Sequence, residues 1–67
     1  MKNNKSVRWV LLSLNLLEYT HVSIRRRLNG EIEYLGGGSV GSVLSRFPDS
    51  LVNYSTISDN VLIIYVL

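Results

Sequence analysis

Residues 33–47 read EYLGGGSVGSVLSRF, and this stretch decides which fold the chain is expected to have. Apolar residues precede the glycines, as they would at the end of a strand. After the glycines, apolar side chains recur at the i, i+3, i+4 and i+7 spacing of one helical face, at Val40, Val43, Leu44 and Phe47. The next residue is a proline, which ends a helix readily. The stretch therefore predicts a strand, a glycine-rich turn and a short helix.

The end of the chain suggests a second strand. Residues 61–67, VLIIYVL, form an uninterrupted apolar run, which is typical of strands buried on both faces of a parallel sheet. Residues 49–60, DSLVNYSTISDN, are polar and rich in turn formers, and we expect them to be a connection. Strand 31–35, the helix and strand 61–66 would then form one βαβ unit. The predicted fold class is α/β, with a single Rossmann-like βαβ unit.

The glycines have the spacing of a dinucleotide-binding turn, Gly36-x-Gly38-x-x-Gly41. Gly36 would turn the chain out of the strand, Gly38 would let the backbone approach a pyrophosphate, and Gly41 would allow close helix–strand packing. With Ser39 at the helix start, these are the candidate cofactor-binding residues. Ser42 stands where a phosphate loop requires lysine, which excludes a nucleoside triphosphatase. The alternative is a glycine–serine loop without a ligand.

The segment YLGGGSVGSVLSRF resembles the N-terminal flavin-binding signature of the glucose–methanol–choline (GMC) oxidoreductases. The residues that match this signature are Gly36, Gly37, Gly38, Ser39, Gly41, Ser42, Val43, Leu44 and Arg46. The resemblance covers residues 31–65 and implies FAD as the cofactor and CH–OH donors as the substrates of the full enzymes. Tyr65 stands where that family carries the glutamate that holds the FAD ribose.

The catalytic chemistry of that family is missing from this chain. GMC enzymes place a catalytic histidine near the end of a much longer chain, whereas His21 precedes the glycine motif here. The 67 residues contain no cysteine, no metal-ligand pattern and no convincing acid–base pair. The resemblance therefore implies a fragment of a larger fold that binds FAD weakly or vestigially. We expect no catalytic or metal-binding residue.

Residues 21–35, HVSIRRRLNGEIEYL, predict a β-hairpin before the glycines. Asn29-Gly30 is a favoured pair for a tight two-residue turn. That turn sets three pairs opposite one another: Leu28 with Glu31, Arg26 with Glu33, and Arg25 with Tyr34. The pairing gives the arginines a structural role. A patch that contacts RNA or anionic lipid is the alternative, but a net charge of +2 is too mild to imply nucleic acid, and no aromatic residues are interleaved with the arginines, so the sequence gives no strong nucleic-acid signal.

The N-terminal segment, residues 1–20, is predicted to be separate from the hairpin and βαβ part, residues 21–67. Its apolar stretch 9–17, WVLLSLNLL, follows basic residues, as in a signal or membrane anchor, but it also suits a core helix or strand. The rival function is a small non-enzymatic interaction or assembly subunit. A partner subunit, or the rest of a larger protein, would cover residues 61–67. Nothing in the sequence indicates a compartment.

Overall fold

Two β-hairpins lie side by side in one four-stranded sheet. The computed structural model describes residues 4–14, 16 and 20–67. Strands β1 (His21–Leu28) and β2 (Glu31–Gly38) form the first hairpin, and strands β3 (Val52–Ser58) and β4 (Val61–Val66) form the second. The order across the sheet is β2-β1-β4-β3, so the inner strands β1 and β4 are neighbours. They run parallel to each other, whereas each hairpin is antiparallel.

Two short helices cover one face of the sheet. Helix α1 (Val7–Ser13) precedes β1, and helix α2 (Val40–Arg46) connects the two hairpins. The buried core between helices and sheet consists of Val7, Leu11, Val22, Ile24, Val43, Val52, Leu62, Ile64 and Val66. The fold is therefore a small mixed α/β domain with one helix-covered face and one face that no described helix covers, which we call the open face.

The first hairpin forms as predicted. Asn29 and Gly30 both have positive φ, 53° and 80°, as a two-residue turn of this type requires. The three expected pairs, Leu28↔Glu31, Arg26↔Glu33 and Arg25↔Tyr34, are all present in the register. Arg26 and Glu33 form an ion pair on the helix-covered face.

The predicted polar connection 49–60 is wrong, because most of it is strand β3. Asp59 and Asn60, with φ of 50° and 65°, make a second two-residue turn that folds β3 back onto β4. Only the first residue of β3, Val52, is buried, and the other six are exposed. An edge strand of this kind needs few apolar residues, so its sequence looks like a loop.

The predicted βαβ unit, with strands 31–35 and 61–66 parallel and adjacent, is not the arrangement of the sheet. Strand β1 lies between β2 and β4, and β2 is antiparallel to β1. The apolar run at the end of the chain does form an inner, parallel strand, but its parallel neighbour is β1. The hairpin turn at Asn29 reverses the chain before the glycines, and β2 consequently becomes an edge strand.

Both helices begin at a serine cap. Ser39 accepts a hydrogen bond from the amide of Ser42 (3.2 Å), and α2 ends at Arg46 with Phe47 as its C-cap, immediately before the proline, as expected. Ser6 caps α1 in the same way, through the amide of Trp9 (3.1 Å). The apolar N-terminal stretch thus begins as a helix, and positions 15 and 17 of it lie outside the described residues. In the part of the chain that the structure describes, no helix is long and apolar enough to span a bilayer.

Candidate functional site

The glycines predicted to bind a dinucleotide lie within a strand. Gly36, Gly37 and Gly38 pair with Ile24, Ser23 and Val22 of β1, respectively. They are part of β2 up to its last residue, and Ser39 follows as the helix cap. The predicted site residues are therefore close together in sequence and space, but the turn between strand and helix is confined to Ser39.

Two of these glycines are explained by what packs against them. A Cβ on Gly36 would lie 3.0 Å from the Phe47 ring, on the helix-covered face. A Cβ on Gly37 would lie 2.5 Å from the carbonyl oxygen of Val22 and 2.9 Å from the Tyr34 hydroxyl. The backbone contact leaves no room for a side chain at Gly37, whereas at Gly36 a side chain would push on the Phe47 ring and strain a backbone with φ of 157°.

The close helix–strand contact expected of Gly41 is not observed. This residue lies exposed in α2, and a Cβ added to it would meet nothing within 4 Å. The Ser39 hydroxyl is already used as the helix cap. Neither residue therefore has a geometry that points to a ligand.

The open face of the sheet carries a cluster that the sequence did not reveal. The register places Tyr34 beside Arg25, Arg25 beside Tyr65, and Tyr65 beside Tyr54. One residue from each of the four strands thus contributes to a single row across the sheet. Strand alternation puts this row on the face opposite the core, since Ile24 and Ile64 point toward the helices. We call these four residues the cross-strand row.

The cross-strand row is held in place by contacts among its members and by Arg27. The rings of Tyr54 and Tyr65 are stacked, with centroids 4.6 Å apart and an interplanar angle of 20°. The Arg27 guanidinium lies 5.7 Å from the centroid of the Tyr65 ring and donates a 3.4 Å hydrogen bond to the Tyr54 hydroxyl. Arg25 is held by a 3.1 Å hydrogen bond from its Nε to the Ser23 hydroxyl.

The aromatic rings at the two ends of the row are accessible. Tyr34 is 61% exposed and Tyr54 is 44% exposed, whereas Tyr65 in the middle is buried at 7%. The two arginines lie between these end rings. An exposed ring can stack on a flat ligand, and a guanidinium presents donors in a geometry that matches a phosphate.

The open face is also free of acidic side chains among the described residues. Glu31 and Glu33 belong to the helix-covered side by their pairing with Leu28 and Arg26. The other two described carboxylates lie away from the strands: Asp49 pairs with Arg8 across 3.2 Å, and Asp59 is in the β3–β4 turn. The charge of this face is consequently positive, although the chain as a whole carries only +2.

The row was missed because its members are far apart in sequence. Arg25 and Tyr34 lie in the first hairpin, and Tyr54 and Tyr65 lie in the second. The signal that would have revealed it is the Asp59-Asn60 turn, because recognising that turn makes 52–58 a strand and sets Tyr54 opposite Tyr65. A linear search for alternating basic and aromatic residues finds nothing here.

Other sites are not supported by the described residues. They contain no group of three or more histidine or acidic side chains that could hold a metal ion. His21 is exposed at the start of β1. Comparison of the chain with protein-family models, with curated proteins and with solved structures finds no match.

Proposed function

We propose that this chain is a non-enzymatic binding module whose open sheet face binds single-stranded nucleic acid, and we take RNA as the ligand to be tested. The observation that carries the proposal is the cross-strand row, in which two exposed tyrosines flank an arginine on a face without described carboxylates. Open sheets with exposed aromatic residues are a recurrent platform for unstacked bases. The proposal develops the interaction-subunit alternative rather than the flavin hypothesis.

The spacing of the exposed rings suits two bases of one strand that are not adjacent in its sequence. Tyr34 and Tyr54 lie on opposite edge strands, three strand intervals apart. At ~4.8 Å per interval, their backbones are about 14 Å apart. One base cannot bridge that distance, so each ring would stack a different base, and the segment between them would cross the arginines.

The arginines are arranged to meet the phosphates of that segment. Arg27 is restrained by the Tyr65 ring and the Tyr54 hydroxyl, and Arg25 by Ser23. Restraint of this kind lowers the side-chain entropy that binding would otherwise cost. Because only two arginines face the ligand, we expect weak, salt-sensitive affinity of about 10⁻⁴–10⁻⁶ M, the range of sequence-independent binding.

Single strands are favoured over the alternatives by the chemistry of the face. Stacking on tyrosine requires bases that are not already stacked in a duplex. An anionic membrane would also attract the arginines, but it offers no unstacked base to the exposed tyrosine rings. Lipid binding is therefore an outcome that the experiment distinguishes.

The test compares, by fluorescence anisotropy, the binding of the chain to three labelled ligands. These are a single-stranded RNA 12-mer, an RNA duplex of the same sequence, and vesicles containing phosphatidylserine. We expect Arg25→Gln to weaken oligonucleotide binding and to lower the salt slope by about 0.7. Tyr34→Leu should weaken it by about tenfold, since a stacked base contributes roughly 1–3 kcal/mol. Arg46→Gln is the matched control, because it removes the same charge from α2, in the helix layer.

The proposal fails if the oligonucleotide does not bind at low salt, or if Arg46→Gln weakens binding as much as Arg25→Gln does. If the chain binds the vesicles more tightly than the oligonucleotide, the ligand of the open face is lipid and not nucleic acid. The flavin hypothesis remains a separate prediction. It is tested by titrating FAD fluorescence with the same chain and with Gly38→Val. Because Gly38 has φ of 144°, a valine strains the backbone there, so support requires that the variant loses binding while its circular dichroism stays that of the folded chain.

A further inference from the structure

The two edges of the sheet differ in how they are protected from pairing with another strand. The β2 edge carries Glu31 and Glu33, three consecutive glycines, and a bulge opposite the step from Ile24 to Arg25. Charges and bulges are the usual means of blunting an edge. The β3 edge, VNYSTIS, has no charged residue, no glycine and no proline, and its bulge, between Val52 and Tyr54, lies before the segment Tyr54–Ser58. Only the β3 edge has the character of a pairing surface.

The main-chain groups on that edge can be assigned from the hairpin register. Ser58 and Val61 flank the two-residue turn, so they form the first hydrogen-bonded pair of the ladder. Alternation then directs the N–H and C=O groups of Ile57 and Ser55 away from β4. No described residue pairs with them.

The start of the β3 edge is covered by the chain itself. The amide of Val52 donates to the carbonyl oxygen of Lys5 (2.7 Å), and Ser6 forms an isolated bridge with Leu51. This cover ends before Tyr54 among the described residues. Among the described residues, the part of the edge without a pairing segment is therefore Tyr54–Ser58.

We infer that this edge pairs with the β3 edge of a second copy of the chain, antiparallel and centred on Thr56. In that register Ile57 lies opposite Ser55 of the second copy, and the two Thr56 residues face each other across the two-fold axis. Four main-chain hydrogen bonds then join the outward groups of Ser55 and Ile57 in both copies. Ile57, which is 64% exposed, gains neighbours on the side that is open in the single chain.

A second copy fits this edge better than an unrelated peptide, for two reasons. Antiparallel self-pairing places only uncharged side chains opposite one another, so no like charges meet. Assembly also stops at two, because both ends of the resulting eight-stranded sheet are the blunted β2 edges. The two open faces would lie on the same side of that sheet, but the dimer does not depend on nucleic-acid binding.

The test is sedimentation velocity of the full chain from about 5 to 500 µM, without nucleic acid. We expect the mass to rise from 7.6 kDa to twice that value with concentration. Ile57→Lys should weaken dimerisation at least tenfold, because it places two lysines beside the two-fold axis. Ile32→Lys is the matched control: it makes the same change at an isoleucine that is 51% exposed on the β2 edge.

A second variant tests the main-chain groups directly. Ser55→Pro removes an outward N–H without disturbing the ladder to β4, and proline is tolerated on edge strands. It should yield a folded monomer, with folding verified by the near-ultraviolet dichroism of the tyrosines. The inference is overturned if the wild-type chain stays at 7.6 kDa throughout, if Ile32→Lys dissociates it equally, or if it grows into larger polymers.

Discussion

The two hairpins have the same turn geometry but differ in sequence, both at the turn and in the edge strand. Each turn has two residues with positive φ, Asn29-Gly30 in the first hairpin and Asp59-Asn60 in the second. Each hairpin also supplies one buried inner strand and one exposed edge strand. In the first hairpin, a glycine marks the turn, and charged residues and glycines mark the edge strand. The second hairpin has no glycine in its turn and neither charged residues nor glycines in its edge strand. The same local structure is therefore reached with a strong sequence signal and with a weak one.

The hairpins meet at their inner strands, where the contribution to stability comes from buried apolar side chains. Ile24 of β1 pairs with Ile64 of β4, and both side chains are fully buried. Because the two isoleucines face each other across this parallel contact beneath the helix layer, we expect their truncation to matter equally.

The largest expected effect comes from truncating this isoleucine pair. Ile24→Ala and Ile64→Ala should each lower the free energy of unfolding by about 2–5 kcal/mol, through lost burial and the cavity left behind. For 67 residues the total is only about 3–10 kcal/mol, so either substitution removes a large share of the stability. Urea denaturation followed by circular dichroism measures the losses.

Exposed isoleucines provide the control for this prediction. Ile32 and Ile57 are 51% and 64% exposed on the two edge strands, and their alanine variants should change stability by about 0.5 kcal/mol or less. If the loss at Ile24 greatly exceeds that at Ile64, the first hairpin holds the fold and the second merely docks on it. Equal losses at buried and exposed positions would contradict the packing described above.

The next effect concerns glycine, which the first hairpin needs in its edge strand and the second does not. Gly37→Ala should destabilise the chain by about 1–3 kcal/mol, because the added Cβ would lie 2.5 Å from the Val22 carbonyl oxygen. Gly41→Ala should stabilise it by about 0.5–1 kcal/mol, since the helical position has open space around it. Thermal unfolding of both variants tests the difference in sign. Destabilisation by Gly41→Ala would mean that this glycine has a role beyond packing.

Much of the fold could be predicted from local patterns. The Asn-Gly turn fixed the first register, the i, i+3, i+4, i+7 spacing located α2, and the apolar run located β4. What failed was the long-range arrangement. The glycine-rich strand–helix segment and the apolar run at residues 61–67 suggested that β2 and β4 form a parallel pair. Instead, β2 is an edge strand of the first hairpin, and β1 occupies the inner position beside β4.

The candidate site was out of reach for a related reason. Residues that form a row across four strands share no spacing along the chain, so the row can be found only once every strand and register is known. Strand β3 was the missing element, because an exposed edge strand with serine, threonine and asparagine has the composition of a loop. The spacing of the glycines suggested a ligand site, although Gly36 and Gly37 are explained by the packing around them.

The smallest effect, and the most direct test of the comparison, is to exchange the second residues of the two turns. Asn60 has φ of 65° without being glycine, whereas Gly30 has φ of 80°. A left-handed residue costs about 1–2 kcal/mol for an L-amino acid, and glycine costs about 0.5–1 kcal/mol in chain entropy. Asn60→Gly should therefore stabilise the chain by roughly 0.5–1 kcal/mol.

Gly30→Asn should destabilise the chain by a similar amount, and the double variant should be close to wild type in urea unfolding, because the turns lie in separate hairpins and share no contacts. A Cβ at Gly30 would meet nothing within 4 Å, so only the backbone term changes there. If Asn60→Gly has no effect, the second turn is held by the packing of β3 on β4 rather than by its own preference. In that case the second hairpin would form only after β4 has paired with β1, and the weak sequence signal would reflect a strand whose position is set by its neighbours.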